Sequence, residues 1–139
     1  MKALLFHCQK FKTEVKELAR RPKGIVPENL KDRKHSMQDC ILAYVTVEGG
    51  DNLEANSLAL VKEIKKMVKE TGHNRVVLYP FAHLSNNLAK SADAKKALAL
   101  IKENLEKTCT VIRVHFGSHK ETLVHTYGHR GNVKYREFK

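Results

Sequence analysis

This chain is poor in the residues that staple or anchor a protein. It has only three cysteines, Cys8, Cys40 and Cys109, widely separated and without a Cys-x-x-Cys spacing. So sparse and odd a set argues against a disulfide framework. Three reduced thiols, buried near strand ends, are expected instead. No apolar run approaches the ~20 residues of a membrane span. The N-terminal run Ala3-Leu4-Leu5-Phe6 is too short for a signal peptide, so a soluble, cytoplasmic chain is expected. There is no Gly-rich phosphate loop of the P-loop or Rossmann kind, no internal repeat and no low-complexity tract. The eight histidines include His115-x-x-x-His119 and His125-x-x-x-His129. Both pairs fall on expected strand and turn, where such residues stand ~13 Å apart, so no metal site is expected.

What the chain has in excess is positive charge. The formal net charge is +11 over 139 residues. Residues 1–39 carry ten basic and five acidic groups, residues 40–89 five of each, and residues 90–139 eleven basic and five acidic. The surplus therefore sits in the two end segments. A basic balance of this size suits a polyanionic partner, nucleic acid being the commonest. The length fits one domain with one core, and an apolar fraction of 42% is ordinary for a globular chain.

Apolar periodicity divides the chain into strands and helices. Residues 2–8 read as a buried strand. Residues 9–20 fit either period, because Phe11, Thr13 and Val15 alternate while Phe11, Val15 and Leu18 share a helix face. Residues 21–38 hold Pro22, Gly24, Pro27 and many charges, and read as a mobile basic excursion with room for one helical turn. Residues 40–47 are a strand closed by Gly49-Gly50-Asp51-Asn52. A helix follows over 53–71, capped by Asp51 or Asn52 and ended by Gly72. Residues 75–81 form a strand that stops at Pro80, which cannot continue a central ladder. A second helix starts near Ser91, its expected cap, with Ala94, Ala97, Leu98, Ile101 and Leu105 inward. Strands at 110–116, 119–126 and 133–138 complete the pattern, with a turn at 128–132. The fold class expected is α/β (α+β), a two-layer sandwich with a mixed sheet.

Two strand ends stand out. Tyr79-Pro80-Phe81-Ala82-His83-Leu84-Ser85 delivers His83 just past a strand. Val114-His115-Phe116-Gly117-Ser118-His119-Lys120 delivers a lysine just past another. Their meeting would set an imidazole and an ammonium beside one polar pocket.

These segments, with Leu4-Leu5-Phe6-His7, Val45-Thr46-Val47-Glu48 and Gly128-His129, resemble the N-terminal editing domain of archaeal threonyl-tRNA synthetases. The likeness covers nearly the whole chain. It implies a D-aminoacyl-tRNA deacylase-like fold, a homodimer, and hydrolysis of serine wrongly esterified to threonine tRNA, at the tRNA 3′ end. It implies that Lys120 and His83 flank the ester, Lys120 holding water or the developing oxyanion and His83 positioning substrate. Val47, Pro80, Phe81, Ala82, Phe116 and Gly117 would hold the terminal adenosine and the seryl group, and a ribose hydroxyl of the tRNA would take part. His119 stands where the family carries a ring that encloses substrate. The glutamate that partners the family's lysine is absent after Gly128-His129, where Arg130-Gly131-Asn132-Val133 runs instead, leaving Glu121 and Glu137 as acidic candidates. No cofactor or metal is implied, and the domain belongs either to a larger synthetase or to a protein working alone.

The chemical need for such a domain is simple. Serine lacks one methyl of threonine, and a missing methylene-sized group changes binding by only about 1–3 kcal/mol. A second pocket that admits serine and clashes with threonine multiplies the two selections. A D-aminoacyl-tRNA deacylase and a catalytically inert tRNA-binding or dimerisation module fit the same charge and elements.

Overall fold

A computed structural model describes residues 1–139. The ambiguous stretch after residue 8 is strand. It continues β1 (Lys2–Leu18), which runs for 17 residues. The next strand, β2 (Lys34–Thr46), starts earlier than its apolar signature because β1 offers partners down to Glu14↔Lys34. Then come α1 (Leu53–Thr71), β3 (Arg75–Pro80), α2 (Ser91–Leu105), β4 (Thr110–Arg113), β5 (Ser118–Thr126) and β6 (Val133–Glu137). No helix is long and apolar enough to cross a membrane.

The sheet has six strands in the order β4-β3-β2-β1-β5, with β6 also on β1. Helices carry the chain from β2 to β3 and from β3 to β4, and both of those pairs are parallel. Parallel neighbours need such crossovers. β1 pairs antiparallel with β2 on one side, and with β6 and then β5 on the other. Both helices lie on one face. There Leu60, Ile64, Met67, Leu98 and Ile101 pack on Ala3, Leu5, Ile41, Ala43, Val76 and Leu78. Each fully buried Leu or Ile contributes about 1.5–3 kcal/mol. A second cluster, Cys8, Phe11, Cys40, Leu42, Val77, Tyr79 and Val114, lies on the other face.

The pleat breaks where β1 and β2 pass Gln9 and Asp39. Cys8↔Cys40 and Lys10↔Gln38 are in register, the pair between them is missing, and Asp39 has φ +48°. Across this break the buried side changes face: Ala3 and Leu5 point to the helices, whereas Phe11 joins the opposite cluster. Cys8 and Cys40 therefore face each other in mid-strand, not at strand ends.

The helix boundaries follow capping chemistry in one case and depart from it in the other. Asn52 accepts the Ala55 N–H at 3.1 Å, and Gly72 ends α1 at φ 76°. Ser91 does not cap α2; its hydroxyl accepts the Val26 N–H at 2.9 Å, and the capping position is Lys90, with no side-chain bond. The basic excursion is thereby tied down. Ala19 N–H bonds to Gly117 O at 2.8 Å and Glu28 N–H to Phe116 O at 3.2 Å. Residues 19–33 form a strap, without a helix, tied to the rest of the fold through the N–H groups of Ala19, Val26 and Glu28.

At the far end of β1 three imidazoles form a chain. His7 Nδ1 lies 2.7 Å from His129 Nε2, and His7 Nε2 lies 2.9 Å from His73 Nδ1. His129 Nδ1 faces Arg130 O at 2.8 Å. A carbonyl only accepts, so His129 carries its proton on Nδ1 and receives one from His7 Nδ1. His7 Nε2 then accepts from His73 Nδ1. One extra proton fits, on His73 Nε2; a second sets two N–H groups head to head. Tyr127 stacks on His7 at 4.4 Å and donates to Asp39. Burial lowers the pKa of His7, His73 and His129 lower it further, and Asp39 opposes them. Below about pH 6.5 the unfolded chain therefore binds more protons than the folded one, and stability present above that pH is lost as pH falls. The urea midpoint of the wild type is expected to drop between pH 7.5 and 5.5 more than that of His7→Gln. Parallel curves would remove the imidazole chain as the cause.

Candidate active site

Because β3 and β4 are parallel neighbours, the loops leaving their C-terminal ends emerge at the same sheet edge. That is why two segments some 35 positions apart in sequence meet. After Pro80 the chain stays pinned: Phe81 N–H bonds to Val45 O at 2.9 Å and Thr46 Oγ1 donates to Phe81 O at 2.5 Å. Ser85 Oγ donates to Glu48 Oε2 at 2.6 Å, holding the loop that carries His83. β4 ends earlier than the apolar run, at Arg113, because the next residues turn away to a corner. His115 is buried there, its Nε2 bonded to Glu28 O at 2.9 Å and its Nδ1 to Ser118 Oγ at 2.8 Å.

Between these loops, α2 and the strap lies a cavity of about 370 Å³. Val47, Pro80, Phe81, Ala82 and His83 line it from the β2 and β3 ends. Phe116, Gly117, His119 and Lys120 line it from the corner. The structure thus brings together Lys120 and His83 with all seven residues expected to bind substrate. The wall is mostly aliphatic and aromatic, not polar as expected, since Ile25, Val45, Leu88, Ala94 and Leu98 complete it.

Gly117 is required by contact and by conformation. Its φ is +89°, and a Cβ there would stand 2.7 Å from Pro27 Cα of the strap.

Lys120 sits opposite Val15 in the β1–β5 register and turns inward, while Glu121 faces solvent. Its Nζ lies 5.1 Å from the Tyr79 ring centroid and donates to Ser118 O at 3.2 Å. No carboxylate pairs with it. Burial lowers its pKa to about 8; Glu28 opposes the shift and Arg113 adds to it. An ammonium in such a place is only weakly compensated and interacts strongly with any charge formed nearby. His83 is exposed at the rim, its ring edge-on to Phe81 at 5.0 Å, and Phe81 stacks on Tyr44 at 4.5 Å. His119 is exposed too.

The acidic candidates named from sequence do not serve Lys120. Glu121 pairs with Lys16 at 3.2 Å, and Glu137 with Lys139 at 3.5 Å. Gly128-His129 lies at the imidazole chain. The carboxylate whose charge reaches Lys120 is Glu28, in the strap. Sequence reasoning missed Glu28, Arg113 and Tyr79. Tyr79, directly before Pro80, was open to discovery; Glu28 had only Pro27 beside it as a cue.

A family model described as the archaea-specific editing domain of threonyl-tRNA synthetase matches residues 1–137. A threonine–tRNA ligase of Thermofilum pendens is 33% identical over 131 residues, covering 93% of this chain and 21% of that protein. A threonine–tRNA ligase editing subunit of Saccharolobus solfataricus is 33% identical over 126 residues, covering 91% of this chain and 31% of that subunit. The chain spans about a fifth of the length of the ligases it matches. Among solved structures, the c-Myc DNA unwinding element binding protein shares the fold, with a TM-score of 0.68 at 13% identity over 100% of this chain and 99% of that one. The mixed α/β sandwich is of the D-aminoacyl-tRNA deacylase-like kind, and the chain belongs to the family of the archaea-specific editing domain of threonyl-tRNA synthetase.

Proposed function

We propose that this domain removes serine from wrongly charged threonine tRNA by hydrolysing the ester at the tRNA 3′ end. The observation that carries this reading is a cavity with both Lys120 and His83 on its wall, in a chain of this family. Water attacks the ester carbonyl carbon, the carbonyl oxygen takes up negative charge, and the ribose oxygen leaves with a proton, giving serine and free tRNA. Lys120 Nζ supplies the cation for that oxyanion or holds the attacking water. In a water-poor cleft one such group contributes far more than in bulk solvent. His83, exposed at the rim, positions the substrate. Backbone around Val47, Pro80-Phe81-Ala82 and Phe116-Gly117 holds the adenosine and the seryl group, and the exposed His119 flanks them.

The tRNA acceptor end is the partner we infer for the strap. Arg20, Arg21, Lys23, Lys31 and Arg33 are exposed on it, Lys34 is exposed where β2 begins, and Arg21 reaches the cavity. A second copy of the chain is the partner we infer for the helix-free sheet face. There Leu4 pairs with Tyr44 and Tyr135, and Phe6 with Val133, while Val133 and Tyr135 are 44% and 47% exposed. Cross-strand partners share a face, so these form one apolar patch.

Three measurements test this reading. Against seryl-tRNA, Lys120→Met is expected to lower the deacylation rate by about 100-fold or more, and His83→Ala by about tenfold. The reverse ranking would exchange their roles. Hydrolysis of D-aminoacyl-tRNA alone would make this a D-aminoacyl-tRNA deacylase, and hydrolysis of no ester with tRNA still bound would make it an inert module. Raising salt from 50 to 200 mM should weaken tRNA binding about tenfold or more; a flat response would remove the strap as a phosphate contact. Sedimentation equilibrium should give twice 15.9 kDa, and Val133→Lys should restore the single-chain mass. A wild-type mass of one chain would refute the dimer.

A further inference from the structure

Glu28 makes more bonds than a strap residue needs to hold a loop down. Its Oε1 lies 2.5 Å and its Oε2 2.6 Å from the two terminal nitrogens of Arg113, a two-pronged pair. The same Oε1 accepts the Phe116 N–H at 2.7 Å. Its backbone N–H donates to Phe116 O at 3.2 Å, and its carbonyl accepts from His115 Nε2 at 2.9 Å. One residue therefore engages Arg113, His115 and Phe116 in turn, the link between β4 and the cavity corner. Pro27, directly before it, rests on Gly117.

We propose that Glu28 is a positioning residue of this site: from the strap it fixes the Phe116-Gly117 corner through Arg113, His115 and Phe116, and its carboxylate sets a negative charge behind that wall of the cavity. The proposal rests on the reading of Lys120 as the working cation. The groups around that ammonium come from several elements. Tyr79 belongs to β3 and Arg113 to β4; His119 adjoins it on β5; His83 and Arg21 line the same cavity. Only Glu28 is acidic. Burial by itself raises the Glu28 carboxyl, but the bonds from Arg113 and Phe116 N–H outweigh it and hold the group below the usual range. It therefore stays ionised at neutral pH, and its charge opposes the downward pull that burial and Arg113 exert on Lys120. Glu28 touches no substrate in this scheme; it acts through the corner and through the lysine.

The test reads Lys120 directly. In the free protein, the Lys120 side-chain signal is followed by NMR against pH and assigned by its loss in Lys120→Met. Glu28→Gln keeps the shape and removes the charge, so Lys120 should titrate about 0.5 pH unit or more lower than in the wild type. Glu28→Asp, which keeps the charge, should restore most of the shift. The alkaline fall in seryl-tRNA deacylation, after subtraction of the uncatalysed rate, should move by the same amount. A merely structural role moves neither curve, so an unchanged Lys120 titration in folded Glu28→Gln overturns the proposal. Should that variant not fold, the Arg113→Gln background decides: Lys120 should titrate lower in Arg113→Gln/Glu28→Gln, where neither charge is left buried without its partner, than in Arg113→Gln alone, and no difference overturns the proposal. The titration needs no substrate, so absence of seryl-tRNA hydrolysis would refute the proposed function without touching this result. An unmoved titration with hydrolysis intact would refute the role of Glu28 alone.

Discussion

Everything in this structure hangs on β1. It is long enough to pair with β2 on one side and with β6 and β5 in succession on the other. The break in its pleat at Gln9, matched by Asp39 on β2, lets one strand serve two cores. Before the break Ala3 and Leu5 meet the helices; after it, Phe11 lies against Tyr79 at 6.2 Å on the opposite face. Val15 continues along that half and sets the register of Lys120. A β1 with an unbroken pleat would bury Phe11 under the helices and leave Tyr79, and with it the lysine, without this packing.

The cavity inherits an electrostatic compromise from that packing. An ammonium placed over an aromatic ring in a mostly apolar cleft loses hydration that one carbonyl and one ring only partly replace. A paired carboxylate would restore stability, and it would also neutralise the charge that the proposed oxyanion role requires. Glu28 is engaged by Arg113 and Phe116 N–H instead and makes no direct bond to the lysine. The cost in folding free energy is borne by the two apolar clusters, a common arrangement at working sites.

Much of this was legible in the sequence, for identifiable reasons. Elements with their own punctuation were read well: α1 between Asn52 and Gly72, and β3 up to Pro80. The meeting of His83 and Lys120 around one cavity was also accessible, because apolar runs ending in Pro80 and in Gly117 mark strand ends. What escaped notice depended on distant partners. The polar start of β2 is a strand because β1 runs beside it. Ser91 looks like a cap until Val26 N–H competes for its hydroxyl. The strap looks mobile because its Pro, Gly and charges suit a loop, yet its backbone is held by residues about ninety positions away. Glu28 and the facing cysteines are invisible for the same reason: nothing local distinguishes them from solvated or buried residues elsewhere.

The closure of β1 by β6 has a consequence for how the protein is made. Lys2 pairs with Glu137, so this end of β1 is covered on that side only by a strand some 135 positions further along the chain. Contacts this far apart in sequence form slowly. Until β6 docks, residues 2–6 of β1 present an open edge to other chains, a hazard for aggregation that the charge of Lys2 helps to blunt.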